Sequence, residues 1–358
     1  MRHSALLVFA CALFAFTLHA QQEPAPVPQE GDLVLHNFHF TSGETLPELR
    51  MHYYTFGKPE KDASGRVKNA VLILHGTGGS GRSFFRPIFS GFLFGPGQLL
   101  DSSRYFIILP DNVGHGKSSK PSDGLRARFP QYDYDDMVRA QYELLQGLGI
   151  NHLRLILGTS MGCMHSWVWG ETYPTFMDAL MPLACNPVAL AGRNRIWRKM
   201  LIDGIRQDPD WQNGDYKTEP RAGLQIASDM LLIAGSAPLV MQKDFPTREA
   251  ADKYLGDFTK REASTLDAND LLYAVSASRN YDPSPNLDKI VAHVMFINSA
   301  DDFINPPELG IAEREIKNVK HGRFVLLPIS DKTHGHGTHT DAAVWQQYLK
   351  ELLDESAP

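Results

Sequence analysis

The feature that most constrains this 358-residue chain is a set of short segments that are apolar on both faces. Val71 to Leu74 and Phe106 to Leu109 contain no polar residue at either parity. Successive side chains of a strand point to opposite faces, so such runs need cover above and below, as parallel sheets have from their crossover helices. The expected strands run Asp32 to Phe38, Leu49 to Phe56, Ala70 to His75, Tyr105 to Pro110, Leu153 to Gly158, Ala179 to Cys185, His293 to Asn298 and Arg323 to Ile329. Helical periodicity fills gaps at Asp136 to Gly147, Met161 to Tyr173 and Ala342 to Leu353. The alternation predicts an α/β fold with a mainly parallel central sheet flanked by helices.

The length exceeds one ordinary domain, yet α/β domains reach about 250 residues undivided, so one core with an insertion fits. The insertion is expected at 186–292, where no strand pattern occurs and prolines at 209, 220, 238 and 246 break helix-like segments. It reads as a helical cap over a core of 21–185 and 293–358, and caps gate substrates. Lys and Arg total 35 against 41 Asp and Glu. That balance leaves no basic excess to neutralise phosphates and excludes nucleic acid as the expected partner.

The N-terminus reads Met1, Arg2, His3, then an apolar run from Ala5 to Leu18, then His19 and Ala20. This is the form of a secretory signal peptide, with cleavage expected near Ala20. The run is shorter than the roughly 20 residues needed to span a bilayer, so no stable membrane insertion is expected after cleavage. The mature protein is therefore expected to be secreted or periplasmic, with a Pro-rich linker from Pro24 to Pro28. Cys11 leaves with the signal. Cys163 and Cys185 remain, either as one disulfide, which an oxidising compartment permits, or as two free thiols packed as small hydrophobes.

An apolar strand leads into Gly158, Thr159, Ser160, Met161 and Gly162, with a helix following. This pattern fits a nucleophile elbow, whose small flanking residues let a tight strand-to-helix turn hold the serine proud of the sheet. A serine hydroxyl needs a base to take its proton and an acid to orient that base. Elbow proteins supply them later in the chain, acid first and histidine last. After the strand ending at Asn298 come Asp301 and Asp302, either of which can be the acid. After the last strand come His334, His336 and His339, of which His336, set between glycines, is favoured.

Two backbone donors are then required for the oxyanion. Met161 follows the nucleophile, and Thr77 lies in the loop after the third strand with Gly76 and Gly78 beside it as substrate-facing positions. Two other patterns compete. His334, His336 and His339 imitate a metal site, but no second ligand set accompanies them, so no metal is expected. Gly114 to Ser118 imitates a phosphate loop, yet Asp111 stands where its first glycine belongs, so the segment reads as a loop beside the site and no cofactor is expected.

Together these residues resemble the α/β-hydrolase fold, and more narrowly the homoserine O-acetyltransferase family. The likeness runs through Phe129 to Gln141, Leu148 to Ile150, Gly158 to Met164, Asp208 to Tyr216, Gly223 with Leu224, Asp267 to Leu271, Asp302 to Glu308, and Gly335 with His336. It implies Asp302 rather than Asp301 as the acid, His336 as the base, and a homodimer packed through cap helices. It departs at the positions that would read homoserine. Ser228 stands where the family has a carboxylate-gripping arginine, Ala234 where it has a tyrosine, and Gly337 where an aspartate binds the amine. Homoserine is therefore not the expected substrate, and acetyl-CoA is a cytosolic donor that an exported enzyme would not meet. The leading expectation is an exported serine hydrolase acting on a small-molecule ester. An acyltransferase serving a small hydroxyl acceptor and a non-catalytic binding protein on the same fold remain as alternatives.

Overall fold

The computed structural model describes residues 27–262 and 265–357. The expected signal peptide lies outside the described residues. Eight strands form one sheet: β1 Gln29–His39, β2 Thr45–Phe56, β3 Ala70–Leu74, β4 Phe106–Pro110, β5 Leu155–Thr159, β6 Ala179–Leu183, β7 His293–Ser299 and β8 Gly322–Leu327. Their order is β1-β2-β4-β3-β5-β6-β7-β8. The pairs β1/β2 and β2/β4 are antiparallel and the rest are parallel. Each expected strand has a counterpart here.

Every residue of β3, β4, β5 and β6 is buried. Strand parity divides them between two cores. Leu72, Leu74, Ile108 and Ile156 face α2 (Tyr134–Gly147) and α3 (Met161–Thr172), which contribute Met137, Leu144, Trp167 and Trp169. Val71, Ile73, Ile107 and Leu157 face the opposite layer, where Leu93 of α1 (Ser90–Leu93) packs with Trp345 and Leu349 of α10 (Ala342–Glu355). Truncating such a residue, as in Leu72→Ala, costs about 2–5 kcal/mol.

Among the described residues, 186–292 hold no strand and carry five α-helices: α4 Gly192–Gln207, α5 Arg221–Gly235, α6 Pro238–Asp244, α7 Arg248–Glu262 and α8 Ala268–Ser276. Helices α4 and α5 meet at two glycines, where a Cβ on Gly223 would stand 2.8 Å from the Gly204 carbonyl oxygen. After α8 the chain returns to the core. A short 3₁₀ turn, Ser284–Lys289, carries Leu287 into the core, and Ile290 packs against Gly170 of α3. The last part of 186–292 thus braces α3, a role that two apolar residues in a turn do not signal. A short helix, α9 (Ile311–Glu315), precedes β8. Cys163 and Cys185 are joined as a disulfide with Cα atoms 5.8 Å apart, tying the first turn of α3 to the end of β6.

Candidate active site

Ser160 sits between β5 and α3 with φ 54° and ψ −110°, a left-handed backbone that a non-glycine residue holds only when its surroundings over-determine it. They do so here. The Ser160 N–H donates to Leu183 O at 2.9 Å and the Gly162 N–H to His75 O at 3.0 Å, pinning the turn to β6 and β3. A side chain on Gly158 would strike Gly162, and one on Gly162 would strike Leu74. Gly76 approaches so closely that its Cβ would lie 3.2 Å from Ser160 Cβ.

The turn after β8 delivers His336, whose Nε2 lies 2.8 Å from Ser160 Oγ. Its Nδ1 faces Asp302, 3.0 Å from Oδ2 and 3.1 Å from Oδ1. Burial alone would raise the Asp302 carboxyl, but His336, the Asn305 amide and the Ile304 N–H outweigh it and hold the group below the ordinary carboxylate range. Asp301 points elsewhere. It accepts from Ser299 Oγ and from the Gly335 N–H at 3.0 Å, so it secures the backbone just before His336. Of the other two histidines, His334 is half-exposed beside Asp341. His339 is buried with its ring 5.1 Å from that of His336, and burial followed by the neighbouring His336 lowers it to about 3.

Met161 opens α3, where N–H groups have no intrahelical acceptor and the helix dipole favours negative charge. Among the described residues the Thr77 N–H has no acceptor either. Three residues that the sequence reading did not assign to the site hold this loop. The Asn112 N–H donates to His75 Nε2 at 3.1 Å, which leaves His75 Nδ1–H to donate to Gly76 O at 2.8 Å. Burial and then nearby His115 keep His75 well below its ordinary value, hence neutral. His115 reaches Thr77 O with its Nε2 at 2.8 Å, which places the 114–118 loop beside the site. Gln141 donates to Asn112 Oδ1 at 2.5 Å. A buried polar side chain on an otherwise apolar helix face, as Gln141 is, was the available signal.

Gly76, Thr77, Gly78, Ser160 and His336 line one cavity of about 290 Å³, and Asp302 and Met161 are not among its lining side chains. The far wall comes from the cap, including Trp197, Arg198, Leu231 and Ala234. Ser228 does not reach the cavity, since its hydroxyl donates to Leu224 O on its own helix at 2.8 Å. No group of three His, Cys, Asp or Glu among the described residues is placed to hold a metal ion.

The alpha/beta hydrolase fold family matches residues 69–327. Homoserine O-acetyltransferase from Thermobifida fusca is 30% identical over 350 residues, covering 87% of this chain and 90% of that one. The structure of homoserine O-acetyltransferase from Bacillus anthracis superposes with a TM-score of 0.80 at 22% identity, over 92% of this chain and 98% of that one. An acetylester hydrolase from Corynebacterium glutamicum superposes with a TM-score of 0.79 at 21% identity, over 92% and 96%. The chain belongs to the homoserine O-acetyltransferase-like family of α/β-hydrolase-fold enzymes.

Proposed function

We propose that this enzyme is an exported serine hydrolase that cleaves a small-molecule ester through an acyl-enzyme. The observation that carries the reading is the continuous chain Ser160 Oγ, His336, Asp302 at hydrogen-bond distances, set on a strained turn beside a cavity. His336 Nε2 takes the hydroxyl proton as Ser160 Oγ bonds to the ester carbonyl carbon. The carbonyl electron pair moves onto oxygen, where the N–H groups of Met161 and Thr77 receive it. Collapse expels the alcohol oxygen, which takes the proton from His336. Water then repeats the sequence: His336 accepts its proton, its oxygen bonds to the acyl carbon, and Ser160 leaves carrying that proton. Asp302 holds the imidazole tautomer with Nε2 free to accept.

The Cys163–Cys185 disulfide supports an oxidising compartment, in line with the signal-like N-terminus. The apolar side chains of Ile196, Met200, Ile226 and Ile233 exposed on α4 and α5 support a homodimer through the cap. A second reading, acyl transfer to a small alcohol, is favoured by the names of the relatives at about 30% identity. It shares the acyl-enzyme and differs in whether the cap excludes water. Ser160→Ala is expected to lower turnover of 4-nitrophenyl acetate by 10⁴-fold or more with the melting temperature retained, and to abolish labelling by a fluorophosphonate. Unchanged turnover refutes the assignment. Adding candidate alcohols and measuring acylated product against free acid separates the two reactions.

A further inference from the structure

Helix α4 carries one charge that its surroundings leave unanswered. Arg198 occupies an apolar stripe with Leu201, Ile202 and Ile205, at i, i+3, i+4 and i+7, the spacing that turns a side chain inward. It is 3% exposed. Its Nε donates to Asn194 Oδ1 at 3.0 Å, one terminal nitrogen reaches Ser278 Oγ at 3.4 Å, and the guanidinium carbon lies 4.7 Å from the Trp197 ring centroid. Burial lowers the group from its ordinary value, and the ionisable neighbours acting on it are Tyr134 and another cation, Arg195, with no carboxylate among them. An arginine does not discharge by losing its proton in a protein, so the cation persists.

The same side chain lines the cavity that holds Ser160 and His336. A second arginine, Arg86, stands exposed at the cavity lining, and among the described residues no aspartate or glutamate lines it. Asp302 lies behind His336, engaged by that ring and by Asn305. The cavity thus presents a desolvated cation and no anion. A buried charge without a partner is costly, and the planar fork of a guanidinium matches a carboxylate with two parallel hydrogen bonds. We propose that Arg198 is a carboxylate-binding residue and that the substrate is a small ester bearing a free carboxylate and no ammonium group. One buried fork suits a single planar monoanion better than a phosphate dianion, and an ammonium group would find no acid in this cavity. The site differs from the family pattern, since Arg198 stands on α4 while Ser228, where the family arginine is expected, is on α5 and bonded within its own helix.

The inference rests on the reading of Ser160 as nucleophile, and its test keeps the two apart. Two ester pairs are compared with the full protein: mono-4-nitrophenyl succinate against 4-nitrophenyl butyrate, with the carboxylate in the acyl half, and 3-acetoxypropionate against its methyl ester, with the carboxylate in the alcohol half. Wild type is expected to favour the charged member of one pair by tenfold or more in kcat/KM, which also tells which half binds Arg198. Arg198→Met is expected to cut that ratio at least tenfold through KM, with Arg198→Lys between. Binding is read separately on Ser160→Ala. Succinate should raise its melting temperature but not that of Ser160→Ala carrying Arg198→Met. Arg198→Met alone should melt at or above wild type, whereas an arginine kept only for structure would lower it. No preference in either pair, or a preference that survives Arg198→Met, overturns the proposal. No ester turnover with Ser160 unlabelled by the fluorophosphonate overturns the hydrolase reading instead, and the succinate shift then decides the role of Arg198.

Discussion

The cavity has two walls, one from the sheet and one from the cap, and they differ in how firmly each residue is held. On the sheet side Gly76, Ser160 and His336 leave the ends of β3, β5 and β8, and their turns are fixed by N–H groups donating to Leu183 O, His75 O and the Asp301 carboxylate. Behind them lies a buried polar layer of His75, Asn112, His115 and Gln141. In the cap, α6 and α7 contribute no buried residue, and Ile196, Met200 and Ile233 on α4 and α5 are more than half exposed. Proton transfer and oxyanion binding need groups placed within a fraction of an ångström, which a packed sheet edge supplies. Selectivity needs only shape and charge, which a cap helix can change by single substitutions. On the proposed reading, chemistry belongs to the sheet wall and choice of substrate to the cap wall.

The strongest way to break that division lies in two adjacent aspartates. Asp302→Asn should lower kcat on 4-nitrophenyl acetate by about 10³–10⁴-fold, because an amide no longer holds the required tautomer. Asp301→Asn, which loses only its hold on Ser299 and Gly335, should cost about tenfold or less. Equal losses would mean that the loop rather than the carboxylate matters. Next in size is the disulfide. Replacing both Cys163 and Cys185 by Ala opens a link between residues 22 apart and should lower unfolding free energy in urea by about 3 kcal/mol. Turnover at 25 °C should stay within about twofold, since the elbow keeps its backbone bonds.

The cap wall is probed by Ala234→Tyr, which adds bulk at the cavity lining. It should raise KM for 4-nitrophenyl butyrate about tenfold while acetate suffers less. An equal effect on both esters would place Ala234 away from the acyl group. The smallest effect concerns pH. Burial first, then neighbouring Asp267, against the Ala268 N–H, raises Glu219 in the cap to about 7. The folded chain keeps a proton that the unfolded chain releases near 4.5, so this group removes stability as pH rises from about 4.5 to 7. Glu219→Gln should therefore melt higher than wild type at pH 8 and equal to it at pH 4. The core behaves oppositely. Burial holds His165 and His339 near 3, the unfolded chain takes up protons around 6.5, and stability falls as pH drops below that value. Melting curves across pH 4–8 that show only one of these slopes would argue that one wall does not titrate as described.

Legibility followed the range of the interactions. The strands are readable because a run such as Val71 to Leu74 states its burial within four residues, and the elbow because Gly158 and Gly162 stand two residues to either side of Ser160. Arg198 lies in a segment read only as helix-like, although its place in the stripe with Leu201 and Ile205 is visible in the sequence. The neighbours Asp301 and Asp302 could not be separated by residue type or spacing. Their separation depends on Asn305 and Ile304 folding back onto one of them and the Gly335 N–H meeting the other.

The amino-acid order alone determined the layered α/β plan, the helical insertion, the serine turn and the short group of histidines after the last strand, because periodicity and turn chemistry act between residues a few positions apart. Only the tertiary structure decided that Ser160 and His336, 176 residues apart, share a hydrogen bond, that Cys163 meets Cys185, and that a buried guanidinium faces the same cavity. Those meetings depend on how the whole sheet twists and how α4 lies across its edge, and no local pattern encodes the sum of so many distant contacts.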